Sequence, residues 1–395
     1  MFNSTNSVST LVQIEHNFCQ RKLVPKLRDM KYIISLLFVS FFNLPLEASW
    51  AMFRGNPECS GIAKGKLTSK LKLLWSFQTK KKIVSTAAAD EKNVYFGSND
   101  RHLYCIDRET GKLIWKYKTK GRVESSPLLL SDHVYFGSND SSLYCLQKKS
   151  GKLVWSFKSE DKIIGAPNVF ISEKKNDIIF GSYDNHLYSV ASETGKLNWK
   201  YLSENFINGS PSIFKGEAIF GGCDEFLHFV DTKTGKKNKS IHIENYIAGT
   251  AALDQTHAYL GHYGNAFIAL NKKTSKIDWS LESNSSPFFA SPALTKKHIY
   301  ITGRNKQLFK LDKMDGKQLW SFQTKGEIDC SPVVCDNKVI IASNDGFVYL
   351  IDDSTGKLIW SYEIGAEIKS SPCISQGVLF IGSDDGALRA FGANP

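Results

Sequence analysis

Several signatures of chemistry are missing from this sequence. Its 8 cysteines never form C-x-x-C, and it holds no H-E-x-x-H, no G-x-S-x-G, no Walker loop and no G-x-G-x-x-G. Zinc, thioredoxin-like, metalloprotease, serine-hydrolase and nucleotide-binding readings therefore have no support. The 9 histidines are scattered, with no pair at metal-ligand spacing. No apolar run reaches the ~20 residues a membrane span needs. A formal charge of +11 is a modest excess for 395 residues, and basic residues are not interleaved with aromatics, so nucleic acid is not indicated. Methionine is scarce, at 4, whereas Trp (8), Tyr (15) and Phe (25) are plentiful, a balance that leans towards β structure. With 42% hydrophobic and 23% charged residues, disorder and collagen-like repetition are excluded, and the length allows two or three domains.

The N-terminus reads as an address. From Lys31 to Ala48 the chain has a basic start, an apolar core over residues 32–42 and a polar stretch ending in small residues. That is the layout of a secretory signal peptide, with Met30 as the expected start and cleavage expected after Ala48 or Ser49. Export to the periplasm or the extracellular space follows. No cysteine sits at the cleavage point to take a lipid; Cys59 lies downstream, after Asn56-Pro57-Glu58. Seven cysteines remain beyond the leader (59, 105, 145, 223, 330, 335 and 373), so one stays unpaired unless it bridges chains. Most lie in apolar strand patterns and read as core residues, with Cys330–Cys335 and Cys335–Cys373 bridges as the alternatives.

From residue 70 onward one period dominates. Thr110-Gly-Lys-Leu-Ile-Trp115 recurs at 150–155, 194–199, 315–320 and 355–360, more weakly at 274–279, and in degenerate form at 234–239, where Lys239 replaces the Trp. With Trp75 the anchors are 75, 115, 155, 199, 239, 279, 320 and 360, steps of 40 to 44. In phase with them run strand openers such as Ser125-Ser-Pro127 and turns such as Gly97-Ser-Asn-Asp100. Each unit is four short strands with turn chemistry between them, which specifies a propeller blade rather than a helical repeat. The expectation is an all-β, eight-bladed β-propeller of four-stranded antiparallel blades, its ring closed by the N-terminal strand around Trp75. The domain reading is 1–49 extension and signal peptide, 50–71 lead-in, and 72–395 propeller.

The repeated residues have structural reasons to recur. Gly111 and its equivalents can take the positive φ of a tight turn, and Asp107 and Asp352 can accept that turn's N–H groups. Trp75, Trp115, Trp155, Trp199, Trp279, Trp320 and Trp360 can each lie flat on the neighbouring blade. The pattern Asp-x-x-Thr-Gly-Lys-x-x-Trp resembles the tryptophan-docking motif of pyrroloquinoline-quinone-type propellers, and Trp50-Ala-Met-Phe-Arg-Gly-Asn-Pro57 resembles the lead-in of exported members. The resemblance covers residues 50–395.

It implies two classes of function. One is a non-catalytic interaction scaffold, like the BamB family of the outer-membrane β-barrel assembly machinery, which presents loops to an envelope protein partner and needs no cofactor. The absent lipidation cysteine departs from that family. The other is a quinoprotein dehydrogenase, which holds pyrroloquinoline quinone (PQQ) and Ca2+ at the ring mouth. Such enzymes place an adjacent Cys-Cys pair against the quinone and carry long insertions; this chain has no such pair, and its loops are short.

Specific binding on a repetitive frame is written where the repeat breaks. The residues entering the innermost strands are Val84, Glu124, Ile164, Asn208, Ala248, Phe289, Asp329 and Lys369, an irregular set expected at the channel mouth. Lys80, Lys81, Lys82, Lys120, Arg122, Lys162 and Lys325 fall in the same loops and suit an acidic partner or an anionic membrane surface. Residues 244–247 and 283–289 also break the pattern. His102 and His186 read as turn-exit residues, and the Asp residues of the Ser-Asn-Asp turns as turn formers, with a calcium ring as the alternative.

Overall fold

The computed structural model describes residues 50–173, 175–283 and 286–393. The signal-peptide segment, its expected start and cleavage points, and Asn284 and Ser285 of the run at 283–289 lie outside the described residues. Among the described residues every regular element is a strand, and the strands form eight sheets. No helix there is long and apolar enough to cross a membrane. Blade 1 is Ala88–Ala89, Asn93–Ser98, His102–Asp107 and Leu113–Lys118, paired in that order. The next six blades repeat it over residues 128–158, 168–202, 212–242, 252–282, 293–323 and 333–363. Inner strands of successive blades touch, and the inner strand of blade 8, Cys373–Ser375, touches that of blade 1, so the ring is closed.

Blade 8 is completed by the strand that precedes blade 1. Lys72–Gln78 pairs antiparallel with Ala387–Gly392, placing Trp75 opposite Ala390. The expected closure is the observed one. It covers what would otherwise be the free edge of the last sheet.

The second and third strands of each blade are buried almost throughout, as in Asn93–Ser98 and His102–Asp107, where simple alternation would leave one face wet. The reason is geometric: a blade inside the ring has a neighbour on both faces. Stacked rings fill the layer between these strands, for example Phe96 on Tyr104 at 5.3 Å and Phe136 on Tyr144 at 5.3 Å. The outer strand is the one that meets solvent along its length. It carries a one-residue irregularity at Ile114, which leaves Leu113 and Ile114 exposed and turns Trp115 onto blade 2.

The indole N–H of six of the seven docking Trp donates to a carbonyl of the next blade: Trp75 to Arg108 (2.9 Å), Trp115 to Lys148 (2.8 Å), Trp155 to Ser192 (2.8 Å), Trp199 to Thr232 (2.9 Å), Trp279 to Lys313 (3.2 Å) and Trp320 to Asp353 (2.9 Å). Trp360 packs edge-on against Phe391 of blade 8 at 5.6 Å. Each of the other six indoles lies over the turn glycine of the next blade. At Gly111, where φ is +68°, an added Cβ would come within 2.7 Å of the Trp75 ring. Asp107 fixes that turn by accepting Thr110 N (2.8 Å) and Oγ1 (2.7 Å), and Asp352 does the same for Thr355, at 2.8 Å each.

The degenerate repeat at 239 and the weak one at 275 turn out to be docking partners. Lys239 Nζ donates to Lys272 O, the carbonyl a Trp would use, and sits 4.6 Å from the Phe229 ring. Across from it Ser275 occupies the glycine position with φ 60°. Without an indole overhead, a Cβ fits there.

The lead-in threads the channel side of the ring. Trp50 exchanges backbone hydrogen bonds with Ala89 of blade 1. Inner-strand N–H groups then bond to lead-in carbonyls in turn: Leu129 to Ala51 (2.7 Å), Ile213 to Pro57 (2.7 Å), Leu253 to Glu58 (3.2 Å), Leu294 to Ser60 (2.7 Å) and Val334 to Gly61 (3.0 Å). Ile62–Ala63 adds a parallel fifth strand to blade 7. Inner strands are sheet edges, and the lead-in satisfies them. Arg54 is 1% exposed, and its Nη2 spans the carbonyls of Pro292 (2.8 Å) and Pro332 (2.7 Å), tying blades 6 and 7. Burial lowers its guanidinium to about 10.

Above the lead-in runs a belt of hydroxyls contributed by the residue that precedes the strand-opening proline or its equivalent. Backbone N–H groups donate to the next blade's hydroxyl: Thr86 to Ser126, Ser210 to Thr250, Thr250 to Ser291, Ser291 to Ser331, Ser331 to Ser371, and Ser371 back to Thr86. Ala166 donates to Ser210 but has no hydroxyl to offer Ser126, so the belt breaks there.

All seven described cysteines are free, and six are buried. Burial pushes the thiols of Cys105, Cys145 and Cys330 up to about 12 from 9.0 and, with help from Asp140, the Tyr144 phenol up to about 12 from 10.0. The phenols of Tyr95, Tyr135, Tyr259 and Tyr300 are raised further, burial being the largest cause in each. The folded state holds these protons where the unfolded chain has lost them, so their stabilisation is complete below the unfolded values and fades as pH climbs through 9 to 12. The melting temperature should therefore fall steadily between pH ~9 and ~12; a flat profile there would refute the burial argument.

Candidate docking surface

The two kinds of loop that face the channel mouth are the turns between second and third strands and the connections between blades. Their Asp residues are committed to structure. Asp100, Asp140, Asp184 and Asp345 each accept a tyrosine hydroxyl from their own blade, at 2.6 to 2.9 Å, and Asp224 is paired with His228 at 2.7 Å. His102 and His186 sit within 3.0 Å of the backbone oxygens of Asp100 and Asp184.

Val84, Glu124, Ile164, Asn208, Ala248, Phe289, Asp329 and Lys369 line one cavity of about 340 Å3, with the hydroxyl belt below them and Phe53 of the lead-in also in its wall. The mouth charges are partly paired. Arg304 holds Asp329 at 2.8 Å and Glu327 at 3.5 Å, and Asn344 donates to Asp329 at 3.0 Å. Lys369 contacts Glu367 at 2.6 Å and Asp384 at 3.5 Å; the Glu367 hydrogen bond is the main cause that raises its ammonium above the usual value. Glu124 lies 3.9 Å from Arg122.

Beside the mouth, between blades 8 and 2, a depression of about 1010 Å3 is lined by Lys80, Lys81, Lys82, Arg101, Lys120 and Arg122 together with Asp100, Asp384 and Asp385. The structure thus brings Lys120 and Arg122 together with the lysine triplet. It leaves Lys162 and Lys325 apart from them, lying over the rings of Tyr183 (4.2 Å) and Phe347 (5.9 Å).

Across the mouth, over blades 3 to 6, lies an arc of aromatics; Phe289 and the segment 244–247 holding Tyr246 were legible in the sequence, but Tyr183, Phe206 and Tyr263 were not. Tyr183 stacks on Phe206 at 5.1 Å, and Tyr263 contacts Tyr246 at 6.0 Å and Phe289 at 4.5 Å. Arg304 caps Phe289 at 4.4 Å. Phe206, Tyr246 and Tyr263 remain 43%, 45% and 46% exposed. The available signal was Tyr183 and Tyr263 standing where blades 1 and 2 have Asn99 and Asn139.

An eight-bladed ring with tryptophan docking and a lead-in threaded along its channel side is a propeller of the pyrroloquinoline-quinone repeat class. Within that class, a family model described as outer membrane protein assembly factor BamB matches residues 70–210, 129–246, 224–331 and 326–394, and the chain belongs to this family. No curated protein matches it significantly in sequence. Among solved structures, BamB from Moraxella catarrhalis superposes with a TM-score of 0.69 at 15% identity, covering 82% of this chain and 100% of that one. The quinohemoprotein alcohol dehydrogenase from Comamonas testosteroni gives 0.76 at 14% identity, over 88% of this chain and 81% of that one. A computationally designed protein, Ika8, gives 0.72 at 16% identity, over 82% and 100%. At such identities these likenesses speak for the fold alone.

Proposed function

We propose that this protein is a non-catalytic, exported scaffold whose mouth face docks a protein partner during outer-membrane β-barrel assembly. The observation that carries this reading is the arc of Tyr183, Phe206, Tyr246, Tyr263 and Phe289. It is aromatic, with Phe206, Tyr246 and Tyr263 exposed and Tyr183 and Phe289 half-buried beneath Lys162 and Arg304, the composition of energetic centres in protein interfaces. Its position beside an irregular mouth on an otherwise repetitive ring adds to the case.

The mouth residues do not fit a quinone and calcium. Glu124 and Asp329, the carboxylates in the cavity wall, already face Arg122 and Arg304, and Phe53 takes up part of the space. Among the described residues no group of three or more His, Cys, Asp or Glu is arranged to hold a metal.

A photo-crosslinker placed at Tyr246 in cells should capture an envelope protein of the barrel-assembly machinery, whereas one at Leu319 on the outer wall should not. Equal capture at both places, or none at Tyr246, would count against the reading. So would reproducible alcohol oxidation after reconstitution with quinone and calcium.

A further inference from the structure

Resting on that reading, we infer that the partner presents an acidic segment, two or more carboxylates close together, to the basic depression between blades 8 and 2. The depression has an uncompensated field. Six cations line it against three carboxylates; Asp384 is matched by Lys82 (3.4 Å) and Lys369 (3.5 Å) and Asp385 by Arg389 (2.5 Å), while Asp100, held by the Tyr104 hydroxyl (2.6 Å), offsets one of the rest. Lys80, Lys81, Arg101 and Lys120 are exposed and make no ion pair among the described residues. Four like charges around one concavity raise its potential and draw in an anion, which relieves their mutual repulsion.

The charge is confined to one sector of the face. The connections between blades read Lys80-Lys81-Lys82 and Lys120-Gly121-Arg122 on the basic side, but Glu160-Asp161-Lys162, Glu204-Asn205-Phe206 and Glu244-Asn245-Tyr246 on the aromatic side. Glu160, Asp161, Glu204 and Glu244 are exposed. An anionic bilayer laid across the mouth would be drawn to one half and repelled by the other. A polypeptide segment can place carboxylates in the depression and apolar side chains on the arc, and the polarity of the face then sets its direction of docking.

The test uses the full chain and a fluorescein-labelled peptide rich in glutamate with interspersed phenylalanines, read by anisotropy. Its controls are the glutamine counterpart of that peptide and phosphatidylglycerol vesicles. The peptide should bind with strong salt dependence and outcompete its glutamine counterpart. Lys80→Glu/Lys81→Glu/Lys120→Glu should weaken binding about tenfold or more, while Lys152→Glu/Lys317→Glu/Lys357→Glu, at the turns joining third and outer strands, should change it less than about twofold. Equal losses in the two triple variants, equal binding of the glutamine peptide, or tighter groove-dependent binding of the vesicles would overturn the inference. Cross-linking from Tyr246 keeps the two readings separable. If the groove variant still captures the partner at the wild-type level, the acidic-segment inference falls and the scaffold reading stands. If wild type captures nothing, the scaffold reading falls.

Discussion

Deleting Lys72–Gln78 should leave a chain that cannot close its ring and that self-associates. The strand is the outer edge of blade 8 yet is encoded before blade 1, so it staples the two ends of the propeller together. Without it Ala387–Gly392 becomes a bare edge exposing apolar residues, the arrangement that templates edge-to-edge pairing. The milder variant Trp75→Ala removes the indole from Arg108 O, from the face of Gly111 and from contact with Phe380 at 5.8 Å. It should cost about 3–5 kcal/mol, as expected for removing a large, well-packed aromatic side chain. Thermal melting and sedimentation velocity measure both; a monomeric deletion variant melting with wild type would sink the closure argument.

The second large effect concerns a pair of positions rather than one. Lys239→Trp alone should destabilise by about 1–3 kcal/mol, because the incoming indole meets the Ser275 side chain. Adding Ser275→Gly should reverse the sign. It clears the space, removes a non-glycine residue from φ 60° and lets the indole bury its area, for a net gain of about 1–2 kcal/mol over wild type. The converse substitution, Gly111→Ala under Trp75, should lose about 2–4 kcal/mol, since the backbone is at φ +68° and the new Cβ lands 2.7 Å from the ring. A double-mutant cycle on denaturation midpoints reads the coupling. If Lys239→Trp is as stable alone as with Ser275→Gly, the two positions do not dock.

The sequence made the frame easy to see because every blade meets the same neighbours and needs the same residues to meet them. Trp115 needs a glycine at 151 as Trp75 needs Gly111, and that reciprocity repeats with a period of about 40. The mouth ring was legible for the same reason: once the period is known, Glu124, Asn208, Asp329 and Lys369 fall in register by counting. What stayed hidden depends on contacts that leave little trace in residue type. The lead-in binds through its carbonyls to N–H groups of the inner strands, and almost any sequence supplies those. Lys239 and Ser275 read as two separate imperfections until the fold put Lys239 on the Lys272 carbonyl of the very turn that holds Ser275. The aromatic arc was masked because Tyr183 and Tyr263 occupy turn positions filled elsewhere by asparagine, and Phe206 joins them only across a blade boundary. The middle strands are buried on both faces because radial packing covers them, and no polar side marks them in the sequence.

Arg54 is translated early, yet one of its two acceptors, Pro332, lies 278 residues further along the chain. Its berth does not exist until blades 6 and 7 have been synthesised and have come together. This one tie at the head of the polypeptide therefore cannot form until most of the chain has been made. Long-range closure of this kind is slow, and until it happens the carbonyls of Pro292 and Pro332 lack the side chain that joins them.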